Sequence, residues 1–260
     1  MGQKVPLLNN LTNHAIDRGS LYKSANDLRT WICLEPRHVI NFPVLHLKNK
    51  MTLDIALEKA LADVRKLSPF VAAAMAGCDF SRGSFHLKFF NRSFLIHHPQ
   101  VKVEEENSTA PTPQWLQVIL LHYLLTADGA AIEDQWITYR YLPGTALFEQ
   151  RFYDMALKSL LRSFGQDLPA FQRSALSLGG EATSRTGDAA FKFLALPHIP
   201  MACILYLGDD EVASSINVLF DASAPHYLPT EDLSYLGWAL SHFLINKTPT
   251  DKDFMKTRPG

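Results

Sequence analysis

Residues 189–220 read AAFKFLALPHIPMACILYLGDDEVASSINVLF, and this stretch decides the fold. Phe191, Phe193 and Ala195 alternate with Ala190, Lys192 and Leu194, the period-two pattern of a strand. Met201 to Leu207 is apolar throughout, as in a central strand covered on both faces. Gly208 to Glu211 supplies a turn, and Ser215 to Phe220 returns with Ile216, Val218 and Phe220 on one side. Upstream, Phe85, Leu87 and Phe89 alternate with His86 and Lys88, Asn91-Arg92 turns the chain, and Phe94 to His97 runs back. A further strand is expected over Trp136 to Tyr141, stopped by Pro143-Gly144. Hairpins plus clustered helices, with no strict β-α-β alternation, imply an α+β fold with a mainly antiparallel sheet.

The helices are legible by their faces. Leu53, Ala56, Leu57, Ala60, Leu61 and Val64 form one stripe, opposite Glu58, Lys59, Asp63 and Arg65. From Gln114 to Thr126 the chain is apolar on nearly all sides, which predicts one buried central helix. Phe148 to Phe164 and Leu168 to Leu178 are further helices, closed by Gly165 and by Gly179-Gly180. Thr230 is expected to cap a final helix carrying Glu231 and Asp232 in its first turn. Glu104 to Pro113 reads as a polar surface loop, and Ala72 to Gly77 as merely small and apolar. Three regions follow: an N-terminal extension over 1–50, with a short helix at 24–32 and an extended piece at 39–47, packing on the main domain; the α+β domain over 51–246; and a flexible tail over 247–260.

Composition removes several functions. Lys+Arg is 25 against Asp+Glu 26, a net charge of -1, without a dense basic block, so nucleic acid is not an expected partner. No window approaches 18 uninterrupted apolar residues, so no membrane association is expected. The 3 cysteines, Cys33, Cys78 and Cys203, are widely spaced and form no CxxC, which argues against a disulfide framework and a four-cysteine metal site. Met1 to His14 has no apolar core of signal-peptide length, so the cytoplasm is the expected location.

Candidate site residues come from a few segments. In Leu196-Pro-His-Ile-Pro200, two prolines hold His198 on a stiff corner between two strands, useful for a ligand or an acid/base group; the plain alternative is a solvated turn. Phe220 to Tyr227 leaves a buried strand and precedes a helix, a common place for ligands, and includes Asp221, Ser223, His226 and Tyr227. A triad there lacks a nucleophile elbow, so Asp221 is expected to cap backbone amides instead. His122, inside the greasy helix, needs a partner and is expected to be a satisfied core histidine, with a ligand role as the alternative. Trp136, Tyr139 and Arg140 share a strand that could line a pocket for a flat ligand. His97 and His98 fall on opposite faces of a regular strand and cannot serve one metal.

The second half carries a resemblance. Trp136 to Gly144, Leu178-Gly-Gly180, Gly187-Asp188, Leu196 to Pro200, Gly208 to Glu211 and Leu219 to Leu228, with Leu121 to Tyr123, resemble the family DUF3786 over residues 53 to 245. The resemblance implies an anaerobic bacterial or archaeal setting and no established activity. Some members carry a cysteine-rich iron–sulfur module, which is absent from this chain, and the position of His198 is more usually Arg in the family. With that setting goes the expectation of a tetrapyrrole ligand, haem or corrinoid, held by His198 as metal ligand, with His226 second, His122 third, and Trp136, Arg140 and Tyr227 lining the site. An enzyme using a histidine as acid or base, and an accessory protein that binds a protein partner, are the alternatives.

Overall fold

The computed structural model describes residues 50–145, 148–184, 187–245 and 250–256. The expected extension, with its helix at 24–32 and extended piece at 39–47, lies outside them. Two antiparallel sheets organise the remainder. The first has order β1-β2-β3-β4, from β1 (Asp79–Ser81), β2 (Ser84–Phe89), β3 (Arg92–His97) and β4 (Lys102–Glu105). The second has order β5-β9-β8-β7-β6, from β5 (Trp136–Thr138), β6 (Glu181–Ala182), β7 (Ala189–Leu196), β8 (Ile199–Tyr206) and β9 (Ser215–Asp221). The all-apolar strand β8 is central and the alternating β7 and β9 flank it, so the α+β antiparallel expectation holds.

Helices cover these sheets: α1 (Lys50–Val64), α2 (Pro69–Ala76), α3 (Gln114–Thr126), α4 (Glu149–Phe152), α5 (Lys158–Phe164), α6 (Leu168–Ser177), α7 (Thr230–Leu244) and α8 (Asp251–Lys256). α3 is buried as its composition requires, and Trp115 meets Trp238 of α7 edge to face at 5.2 Å. Such an aromatic pair contributes about 0.5–1.5 kcal/mol beyond the area it buries. α4 and α5 are joined by a π-helical turn, Tyr153–Leu157. Gly237 of α7 admits the ring of Phe152, since a Cβ there would lie 2.4 Å from the ring edge.

Several boundaries differ from expectation for identifiable reasons. The β2–β3 turn is Phe90-Asn91, one residue earlier, because Phe89 pairs with Arg92. Phe90 adopts a φ of 52°, and its buried ring packs edge-on against Phe89 and Phe243. The strand from Trp136 ends at Thr138, and Tyr139–Tyr141 winds into a 3-10 turn that stacks Tyr139 on Phe152 at 4.2 Å. Glu104 and Glu105 belong to β4: Arg92 binds Glu105 bidentately across the sheet, at 2.7 and 2.5 Å, which makes a charged segment a good strand. The small apolar run is helix α2, with Pro69 at its start and Gly77 ending it at a φ of 61°. Thr230 does not cap α7, since its hydroxyl donates to Pro143 O at 2.6 Å. The expected tail contains α8, whose Asp251 carboxylate accepts the backbone N–H of Trp115 at 3.2 Å.

Candidate functional site

The β7–β8 turn carries His198 to a corner where α2 ends and α3 passes beneath. The Tyr123 hydroxyl donates to Ala76 O at 2.8 Å and accepts the backbone N–H of His198 at 3.1 Å. One phenol oxygen thus fixes both the end of α2 and the turn. Tyr227, from the 3-10 turn after β9, stacks on Tyr123 at 5.8 Å and on the His198 ring at 5.0 Å. Its own hydroxyl donates to Ala130 O, and its carbonyl accepts from Thr126 Oγ1 at 2.5 Å. The far end of the imidazole rests on Gly77, where a Cβ would meet Nε2 at 2.2 Å. Glycine is required there twice over, by this contact and by its left-handed backbone.

Protonation at this corner is uneven. Burial pushes Tyr123 well above the usual tyrosine range, and burial with the nearby Asp128 raises Tyr227. Burial, reinforced by Asp79, pushes the Cys78 thiol up to about 11. These groups stay protonated at neutral pH and make poor nucleophiles. His226 pairs with Asp128 at 2.7 Å on the half-exposed rim. Among the described residues, neither ring nitrogen of His198 has a hydrogen-bond partner. The imidazole is therefore held by its ring face, its distal edge and its backbone, with its nitrogens unused.

The other candidates lie in different surroundings. His122, on α3 beside Tyr123, pairs with Asp232 of α7 at 2.6 Å. Burial opposes its charged form, but the Asp232 carboxylate more than offsets this, and the pKa of His122 is raised. Trp136 stands opposite Asp221 at the sheet end that carries the β7–β8 turn; its ring takes the Lys192 ammonium at 5.6 Å and its N–H bonds Asp134. Arg140 reaches Glu149 at 3.4 Å on the surface. Asp221 Oδ1 accepts the N–H groups of Glu133 and Ser223 and the Ser223 hydroxyl, so it caps its loop; Ser223 and His226 meet only through the His226 N–H to Ser223 O bond of the turn, at 3.0 Å, with no side-chain pair among the described residues. His98 packs edge-on against Phe80 and Phe85, while His97 bonds Ser84 and Glu104.

What the sequence did not single out is Tyr123, Gly77 and the thiol of Cys78 at the same corner. The legible signal was Ala-Met-Ala-Gly-Cys, a helix end with glycine in the closing position. The exposed side of α2 leads to the corner with apolar groups: Phe70 is 72% exposed, Val71 56% and Met75 38%. Two cavities, of about 310 and 530 Å³, are lined elsewhere, by Phe164, Ser174 and Leu244 and by Val101, Val103 and Thr112 respectively. Among the described residues no group of three or more His, Cys, Asp or Glu side chains is placed to hold a metal ion, and no helix is long and apolar enough to cross a membrane.

No curated protein and no solved structure matches this chain. A family model does, over residues 69–243, which include α2, both sheets and the His198–Tyr227–Tyr123 corner. The chain belongs to DUF3786, a domain of unknown function.

Proposed function

We propose that this chain is a binding protein whose working residue is His198, and that its ligand is a tetrapyrrole, haem or corrinoid, taken through the imidazole. The observation that carries this is the immobilised ring with unpartnered nitrogens. Ordering a side chain beforehand removes part of the entropy cost of binding. A histidine with no further ligands grouped around it among the described residues suits a metal that arrives with ligands of its own. Nε2 lies against Gly77, so Nδ1 is the atom that would coordinate without moving the ring. The apolar side of α2 offers contact area for one edge of a macrocycle. His198 would hold the group, with Tyr227 behind the imidazole, and the bound tetrapyrrole would supply redox or ligand-exchange chemistry.

Titration of the purified protein with haem and with hydroxocobalamin tests the proposal by absorbance. The expected result is a shifted band with wild type that His198→Ala abolishes. Binding of neither compound ends it. A second reading, an accessory protein for another protein, is favoured by the exposure of Phe70 and Val71 on α2, because exposed apolar faces mark interaction sites.

A further inference from the structure

The outward face of the four-stranded sheet holds a second constellation, unrelated to the His198 corner. Phe85, Leu87, Phe89, Phe94 and Ile96 point to the core, so the alternate residues of β2 and β3 point away; His97 and Glu104 are partly exposed there, while Ser84 sits deeper, 5% exposed. Ser84 and His97 are direct cross-strand partners, and Glu104 stands one position along on β4, opposite Leu95. Ser84 Oγ lies 2.8 Å from His97 Nδ1, and His97 Nε2 lies 2.8 Å from Glu104 Oε2. Lys102 bonds the other carboxylate oxygen of Glu104. We propose that Ser84, His97 and Glu104 form a base-activated nucleophile that attacks acyl or phosphonyl electrophiles carrying a good leaving group.

The chemistry follows from the order of the three groups. Lys102, followed by His97, holds the Glu104 carboxyl below the usual carboxylate range, so it is ionised and accepts the Nε2–H of His97. That tautomer leaves the Nδ1 lone pair facing the Ser84 hydroxyl, the relation of nucleophile, base and orienting acid found in nucleophilic catalysis. As Oγ bonds to the acyl carbon or phosphorus, its proton passes to Nδ1 and the leaving group departs with its electron pair. The Nδ1 proton passes to the departing group or to solvent; water then attacks the acyl carbon, gives a proton to Nδ1, and that proton returns to Oγ as the acid is released. Among the described residues, nothing comparable is placed to hold an oxyanion, so the fitting electrophile is an activated ester, not an amide. The same face contains a looser copy. Ser81 Oγ lies 3.1 Å from His86 Nε2, and His86 Nδ1 is 3.9 Å from Glu106. Asp79, Lys88 and Lys102 complete the charges on this face.

Incubation of the full chain with an alkyl fluorophosphonate, followed by intact mass and peptide mapping, tests the proposal. One adduct on Ser84 is expected, lost in Ser84→Ala and roughly 10- to 100-fold slower to form in His97→Gln. Glu104→Gln should slow it less, and Glu104→Asp should restore part of the lost rate, because a carboxylate again orients the imidazole. A purely structural Glu104 would leave the labelling rate of the folded variant unchanged. No adduct, an adduct that persists in Ser84→Ala, or equal labelling of Ser81 overturns the proposal. A thermal melt of each variant, with Glu104→Gln the least intrusive, separates lost reactivity from lost fold.

Discussion

His122 and Tyr123 are consecutive on α3, yet they open onto two different environments. His122 turns toward α7 and meets Asp232, a carboxylate 5% exposed as a residue, at 2.6 Å. Tyr123 turns toward α2 and the β7–β8 turn, where its hydroxyl has already used its donor and one acceptor site on backbone groups. On the first side a histidine is fixed by a bond to its ring nitrogen. On the second, His198 is fixed by stacking, by packing on Gly77 and by its backbone, and no described residue hydrogen-bonds its ring nitrogens. A buried charge with its partner is committed to holding the fold, because separating the two leaves an uncompensated ion. An imidazole held by stacking and by its backbone keeps its lone pairs for something else. This contrast separates a histidine committed to a buried ion pair from one held by packing more sharply than burial does.

The contrast can be broken in stages, beginning on the His122 side. Asp232→Ala should cost about 3 kcal/mol in urea unfolding, since it removes the carboxylate that offsets the burial of the His122 charge. The effect has a pH signature. The pKa of His122 is raised from 6.5 in the folded protein, so the stabilisation is fully present below that value and is lost as pH rises through the higher folded value. The gap between wild type and variant should therefore narrow on going from about pH 6 into the alkaline range.

On the other side, Gly77→Ala should cost about 2 kcal/mol, against about 1 for Gly144→Ala, from left-handed strain at both positions and His198 displacement at one. Gly144 has a φ of 76° but open space around a Cβ, so it isolates the backbone part. Only the Gly77 variant should shift the His198 ring resonances in an NMR spectrum. The smallest effect is expected for His198→Ala itself, below about 1 kcal/mol in a thermal melt, since a half-buried ring is lost from Tyr227 and Gly77 while the backbone bond to Tyr123 stays. A loss above about 2 kcal/mol would make His198 as structural as His122.

Much of this architecture was readable in advance, and the failures are instructive. The apolar run of β8 and the alternation of β7 and β9 could hardly be satisfied except by a covered strand between two flanking ones. α3 declared its burial by having no polar side. α2 was silent because an alanine-rich octamer has helix propensity but no periodic face to detect. β4 was obscured by Glu104 and Glu105, whose compensating partners, Arg92, His97 and Lys102, become visible only once strands pair. His198 stood out through its flanking prolines. The companions that give it meaning, Gly77, Tyr123 and Tyr227, come from segments separated by up to 150 positions, and no local pattern unites them.

The Tyr123 oxygen has a mechanical consequence. β1 begins at Asp79, three positions beyond the Ala76 carbonyl that this oxygen holds, and the turn it holds on the other side belongs to β7 and β8 of the second sheet. The oxygen is thus a rivet between the lead-in to one sheet and a hairpin of the other. A pull on His198, whatever applies it, would not be absorbed by a slack surface loop. It would be transmitted as load through the Tyr123 oxygen to the root of the four-stranded sheet, alongside the Phe90 N–H to Ala195 O bond that ties β7 to the β2–β3 turn.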